Sequence, residues 1–291
     1  MEEPPLFDNL FLGAGAMKAG TTWLYAVLER HPDLFFTLEK EIHYFSHCYG
    51  SRQMLSARKR LENARNRYLQ FNPEVAQPNA VRNRLHWTAN YLDTPVDDLW
   101  YRNLFLFRNG QKYPCDFSNL YCLLPQDAWQ RVLNITTNLR VLYTMRDPLK
   151  RLWSHVKFHL QITGQTDLLN TWGPEDYRRF IKLAHIRENG EYGEAVRRMR
   201  AALPPECVKF CFFEDIHADQ RGFLAGLEDF LGIAHFDYPQ DLLARRVNES
   251  IVHPMPDFFP EMVAEDTTRI IAELTDLGLT PPASWQNSQQ H

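Results

Sequence analysis

The residues with the clearest chemical potential form one run, Gly13-Ala-Gly15-Ala-Met-Lys18-Ala19-Gly20-Thr21-Thr22-Trp23. It joins a short apolar stretch at residues 9–13 to a helical pattern at 21–30. The first amides of such a helix point out of the turn without partners and carry partial positive charge. Gly20 lets the backbone approach a ligand closely, Thr21 and Thr22 add hydroxyl donors, and Lys18 adds a full charge. Together they make an anion cradle. It differs from the magnesium-dependent loop of nucleoside-triphosphate enzymes, in which a Ser or Thr follows Gly-Lys, because here the lysine precedes the glycine. A second cationic point is Arg146, at the end of an apolar run spanning 139–145. There a guanidinium fork can grip a phosphate. Asp147-Pro148 then supplies an N-cap and a first helical residue, with Ser154 two turns further on.

Strands must deliver both points to one place. Residues 9–13, 34–36, 139–145 and 208–213 are apolar runs, and helical patterns cover 21–30, 149–161, 188–202, 219–231 and 261–277. Alternating strands and helices predict an α/β fold, a P-loop-like central parallel sheet with helices on both faces. The chain reads as a single domain, 1–291, whose looser region at about 46–112 is an insertion or cap on the acceptor side. That region holds a basic helical stretch at 58–67, a polar turn at 72–83 and an aromatic helix at 99–107.

Lys-Ala-Gly-Thr-Thr-Trp at residues 18–23 resembles the 5′-phosphosulfate loop of sulfotransferases that use 3′-phosphoadenosine 5′-phosphosulfate. Arg146 through Ser154 resembles that family's Arg-Asn/Asp-Pro-x-x-Arg-x-x-Ser pattern. The resemblance implies that Lys18, with Ala19, Gly20, Thr21 and Thr22, holds the 5′-phosphate, that Arg146 and Ser154 hold the 3′-phosphate, and that Trp23 stacks on adenine. It implies no metal. Weaker echoes are Gly190-Glu-Tyr192, Cys211-Phe-Phe-Glu214-Asp215 and Phe230-Leu-Gly-Ile233. Arg245-Arg-Val-Asn248-Glu-Ser250 resembles the segment that closes over the donor. Glu39-Lys40-Glu41-Ile42-His43-Tyr44-Phe45 is similar to the Glu-Val-His-Phe-Phe element of the sugar-sulfating and bacterial branches, which makes Glu41 the expected general base and His43 the alternate. Cys115-Asp116-Phe117-Ser118-Asn119-Leu120-Tyr121 resembles Gly-Glu-x-Ser/Thr-Pro-x-Tyr, with cysteine for glycine, aspartate for glutamate and asparagine for proline. Heparan-type members carry a sulfuryl-holding lysine where Phe117 stands, so its replacement favours a less anionic acceptor.

Sulfuryl transfer should share the physics of phosphoryl transfer, with in-line displacement driven by positioning and electrostatics. Tyr44, Phe45, Asp116, Ser118, Trp153 and Phe158 are the expected acceptor contacts, with Trp87, Trp100, Tyr101, Phe105, Phe107 and His159 adding surface. The acceptor is expected to be an apolar or aromatic small molecule, lipid or polyketide, free or carrier-linked, with a carbohydrate as the alternative. A nucleotide-dependent kinase and a non-catalytic nucleotide-binding protein are the competing classes. A formal charge of −4 supplies no global field toward nucleic acid or an anionic membrane. No run approaches the roughly 18 apolar residues that span a bilayer. Five cysteines without a CxxC spacing suit buried thiols in the cytoplasm. His43, His47 and Cys48 lack a second ligand group at metal spacing and are expected to pack.

Overall fold

In the computed structural model, residues 4–245, 247 and 251–287 are described. Five strands, β1 (Phe7–Gly13), β2 (Leu34–Phe36), β3 (Tyr113–Phe117), β4 (Thr136–Met145) and β5 (Val208–Phe212), form one sheet in the order β2-β3-β1-β4-β5. Every pairing is parallel. β1 lies at the centre, and alternate residues feed opposite faces. Leu10 and Leu12 enter one hydrophobic cluster while Phe11 enters the other. Helix α1 (Thr21–Leu28) and helix Gln220–Leu231 cover the Phe11 face.

The opposite face is covered by α2 (Tyr44–Cys48), the helical turn Ala64–Tyr68 that continues α3 (Ala57–Asn63), α4 (Pro78–Leu92), α5 (Asp98–Asn103), α6 (Gln126–Asn134) and helix Tyr192–Ala202. The helices of the 46–112 region thus share one core with β1 and β4. Helix α7 (Pro148–Ile162) builds a third cluster from Leu149, Trp153, Val156 and Leu160.

Local chemistry explains the element ends. Asp147 caps α7 as expected, its Oδ1 accepting from the amides of Leu149 and Lys150 at 2.9 and 3.1 Å. Gly232 ends helix Gln220–Leu231 in the left-handed region, φ 63°. Gly13 has no room for a side chain, since a Cβ there would lie 2.5 Å from the Phe117 ring. Strand β3 escapes the sequence pattern: all five of its residues are buried, so no alternation marks it, and it contains a proline and an aspartate. The polar turn expected at 72–83 is shorter, because Pro78 starts α4 at its first helical position.

The basic stretch at 58–67 is not a purely solvated face. Arg60 is buried and donates to the carbonyl oxygens of Leu55, Tyr91 and Asp93 at 3.2, 2.7 and 2.8 Å. Arg67 pairs with the buried carboxylate of Glu39, which also accepts from the Tyr68 hydroxyl. Among the described residues no helix is long and apolar enough to cross a membrane.

Removing the Arg60 fork strands the buried carbonyls of Leu55 and Tyr91, each of which is costly when unpaired. Arg60→Met should lower unfolding free energy by roughly 3 kcal/mol, read from urea denaturation, and Arg60→Lys should restore less than half. A loss below about 1 kcal/mol would mean that water reaches these carbonyls.

Candidate active site

The cradle forms because the chain beyond β1 keeps pairing with β4. The Ala14 amide donates to Leu142 O at 2.8 Å, Ala16 to Thr144 O at 2.7 Å, and Thr144 back to Gly15 O at 2.9 Å. This carries the loop along β4 to within two residues of Arg146. Lys18 then turns back in the left-handed region, φ 68°, an uncommon state for a side-chain-bearing residue and one that cores tolerate mainly at functional sites. Gly20 caps α1 at φ 86°, and a Cβ there would lie 2.6 Å from the Phe213 ring. Arg146 lies over the other end of this contact, its guanidinium carbon 4.7 Å from the same ring centroid.

Lys18 and Arg146 therefore belong to one site. Arg146 Nη1 donates to the Lys18 carbonyl at 3.2 Å. Its Nε is buried and takes no partner among the described residues, leaving a donor unspent for a ligand. Two of the weaker sequence echoes hold Arg146 in place. The Tyr192 hydroxyl donates to the Arg146 carbonyl at 2.9 Å and meets its amide at 3.3 Å. Glu214 accepts from the next amide, that of Asp147, at 3.1 Å. Burial, then the charges of Arg146, Lys157 and Lys40, push the Lys18 ammonium down to about 8. Its Nζ sits 4.6 Å above the Phe158 ring. Thr21 is buried and Thr22 half-buried on the first turn of α1 beside buried Ala19, and Ser154 is buried on α7.

Glu41 stands beside this cradle in a tight clasp. Lys40 Nζ donates to Oε1 at 2.7 Å, and the Asn119 backbone amide donates to Oε2 at 2.9 Å. The Asn119 side-chain amide, placed with its nitrogen toward Glu41, donates to both oxygens at 2.7 and 2.8 Å. His43 Nε2 lies 3.6 Å from Oε2. Burial lowers the His43 pKa, so the imidazole is neutral at pH 7, and its Nδ1 has no partner among the described residues. The His43 backbone is left-handed, φ 60°, and is pinned by its amide donating to Ser118 Oγ at 2.9 Å. Ser118 in turn donates to Asp116 Oδ1 at 2.7 Å.

Several expected acceptor contacts prove to be interior. Asp116 and Ser118 are 1% and 0% exposed, and Asp116 also accepts from the Tyr121 and Tyr101 hydroxyls. They position the Glu41–His43 segment rather than touch a substrate. Tyr44 stacks on Tyr101 at 4.4 Å and, like Phe45, lies in the core with Trp87, Trp100 and Phe105. Trp153 packs on Phe259 and Tyr177. Aromatic side chains are driven inward by their apolar area, and sequence alone does not separate a pocket wall from a core. Trp23 is likewise almost fully buried, its indole donating to Leu243 O at 3.2 Å, so little of the ring is open to a ligand. Phe158 alone of the aromatic set stands at the cradle, beneath Lys18. Asn248 and Ser250 lie outside the described residues.

The sequence reading overlooked Lys40, Lys157 and the Asn119 clasp. Lys40 was legible as the residue joined to the carboxylate, whereas Lys157 and Asn119 show their roles only through the fold. It also missed a cavity of about 270 Å³ lined by Ser46, Tyr49, Arg52, Leu120, Leu123 and Pro125 among others, on the two segments that carry the Glu41 clasp. Among the described residues no group of three or more His, Cys, Asp or Glu is arranged to hold a metal.

Fold and site together define an α/β protein with a cluster of cations at the carboxyl edge of a parallel sheet, where such sheets place their ligands. The sequence model of the sulfotransferase family matches residues 11–237, and the chain belongs to that family. A solved sulfotransferase from Alicyclobacillus acidocaldarius is similar over 98% of this chain and 99% of its own, with a TM-score of 0.65 and 20% identity. A sulfotransferase domain from the curacin biosynthetic pathway is similar over 94% of this chain and 98% of its own, with a TM-score of 0.51 and 15% identity. Both share the fold. A search of curated proteins returned no match.

Burial of Asp116 raises its carboxyl to about 7 against the bonds it accepts. Between the ordinary carboxylate value and about 7 the folded chain keeps a proton that the unfolded chain has released, so stability falls as pH rises through that window. Denaturation curves from pH 5 to 8 should show a shallower decline in Asp116→Asn than in the native chain. Equal slopes would mean that the carboxyl is ionised throughout.

Proposed function

We propose that this sulfotransferase takes its sulfuryl group from 3′-phosphoadenosine 5′-phosphosulfate and places it on a hydroxyl of an apolar or aromatic acceptor, free or carrier-linked. The observation that carries the donor assignment is the Arg146–Lys18 contact at 3.2 Å, which joins two cationic points into one site with an unspent Arg146 donor. The bound donor would supply a sulfuryl group whose S–O bond to the 5′-phosphate breaks as an S–O bond to the acceptor forms, the electron pair staying on the phosphate.

This chain's residues divide the remaining work. Lys18 and the first amides of α1 hold the 5′-phosphate and neutralise the charge that grows on it. Arg146 and Ser154 hold the 3′-phosphate. Glu41 takes the acceptor's proton, its orientation fixed by Asn119. His43 is the second candidate for that proton, on the strength of its neutral, buried imidazole. No metal is required for any of these roles, and the five free thiols suit the cytoplasm.

Two observations favour a small acceptor of low charge over a polyanionic sugar. Phe117 is buried against Gly13 and Phe11, so no cation reaches the site from that position. The cavity formed by the chain that follows the two clasp segments is lined largely by leucine, tyrosine and serine, and its Arg52 is already paired with Glu188. A panel of phenols, aliphatic alcohols and sulfated oligosaccharides tests this, and preference for the oligosaccharides would overturn it.

Titration with 3′-phosphoadenosine 5′-phosphate in a chelator should give saturable heat. Lys18 is half-deprotonated near pH 8 in the free protein, and a bound phosphate must draw its pKa upward. Binding at pH 8–9 should therefore take up a proton, seen as a dependence of the heat on buffer ionisation enthalpy, and affinity should fall as pH rises above about 8. Lys18→Met should abolish the uptake. Glu41→Ala should cut turnover by at least ~10²-fold while leaving nucleotide affinity within about twofold. Turnover that survives this change assigns the proton to His43.

A further inference from the structure

Lys40 has no part in the roles assigned above, yet it stands where they meet. Its Nζ donates to Glu41 Oε1 at 2.7 Å and reaches Thr21 Oγ1, on the first turn of α1, at 3.5 Å. Its charge is one of three that depress Lys18. The ammonium therefore lies between the cation at the leaving phosphate and the carboxylate at the acceptor. That is the path along which the transferred group moves, because in-line displacement puts leaving oxygen, sulfur and acceptor oxygen in one row. The Lys40 side chain is 19% exposed and that of Glu41 27%, so both border the site rather than the core.

The pairing also has a cost for catalysis. A carboxylate oxygen engaged by an ammonium at 2.7 Å is a poor proton acceptor, since its lone pairs are committed and its charge is offset. The two oxygens of Glu41 are held unequally. Both accept from the Asn119 side-chain amide, but Oε2 is also held by the Asn119 backbone, which is fixed by the fold, whereas the second hold on Oε1 is a flexible four-carbon side chain.

We infer that Lys40 is a catalytic cation that grips the sulfuryl oxygens of the bound donor and, in moving onto them from Glu41 Oε1, uncovers the base only when the donor is loaded. This rests on the donor reading above. In the transfer itself the acceptor O–H bond breaks, its proton passes to Glu41 Oε1, the acceptor oxygen bonds to sulfur, and the phosphate departs with the electron pair of the old S–O bond. Lys40 stays protonated throughout and changes only its partner. A donor-free chain thus keeps its carboxylate covered by an ion pair.

The sulfated donor and the desulfated product, 3′-phosphoadenosine 5′-phosphate, differ only in the group Lys40 is inferred to touch. Their dissociation constants, measured calorimetrically without acceptor, should differ by about tenfold in favour of the donor in the native chain. In Lys40→Met, and in Lys40→Gln as a second variant, the two should become equal within about twofold, with product affinity near native. Turnover should fall by at least ~10²-fold with acceptor KM changed by less than about threefold, and Lys40→Arg should restore part of the donor preference. A donor preference unchanged in Lys40→Met, a native chain without one, or turnover within about threefold of native overturns the inference. Failure of the native chain to bind either nucleotide removes the donor reading and this inference together.

Discussion

Main-chain hydrogen bonds between β4 and the residues that follow β1 set the distance on which this site depends. Strand pairing normally ends where a loop begins, but here Ala14 and Ala16 continue the ladder against Leu142 and Thr144. A flexible loop would carry Lys18 as a solvated surface charge. A loop held in register delivers it to the level of Arg146, and the Arg146 side chain then bonds back to the Lys18 carbonyl. Gly13 and Gly20 make this geometry possible for different reasons. The first leaves room for Phe117, and the second accommodates both a left-handed turn and the Phe213 ring that supports Arg146. Lys18 and Arg146 are 128 residues apart in sequence, and no local interaction could bring them together.

The same logic governs Glu41, through side chains instead of strands. Glu41 belongs to a connection between β2 and α2, where backbone freedom would ordinarily blur its position. Asp116, at the end of β3, fixes Ser118, Ser118 fixes the His43 amide, and the Asn119 amide fixes Glu41 Oε2. A proline at position 119 has no N–H, so the clasp seen here requires the asparagine that departs from the family pattern. Burying Asp116 among two tyrosines and a serine is expensive for a carboxylate, which is reflected in its raised pKa. The chain bears that cost at the point where β3 must hand a rigid frame to Glu41.

Much of this was legible in residue order, and the limits have physical causes. The 18–23 loop, the Arg146 strand end and the Asp147 cap are readable because each depends on a backbone rule that acts over a few residues. The aromatic residues were not, because hydrophobic burial is blind to whether a ring faces a ligand or a neighbouring ring. Tyr44, Phe45, Trp100 and Tyr101 satisfy one another in the interior. Strand β3 was hidden by burial on both faces, which erases the alternation that marks a half-exposed strand. The basic residues at 58–67 carried no signal of their fates. Arg60 became an interior clamp and Arg67 an ion-pair partner, depending on carbonyls and a carboxylate that lie some 28 residues or more away for most of their bonds.

The electrostatics of the cradle follow from how these constraints superpose. Lys18, Arg146, Lys157 and Lys40 are brought close enough that burial and mutual repulsion lower the pKa of Lys18, in a chain whose formal charge is −4. Such a cluster works against folding in the absence of an anion. It is held by backbone registry, by the Tyr192 and Glu214 contacts at Arg146 and by the carbonyl of Ile251 at Lys157, none of which cancels the clustered charge fully. An anion at the cradle would relieve the repulsion that Lys18 and Arg146 exert on each other. The negative overall charge has a corresponding role. With no global field of positive sign, positive potential is concentrated where the sheet register gathers Lys18, Arg146, Lys157 and Lys40.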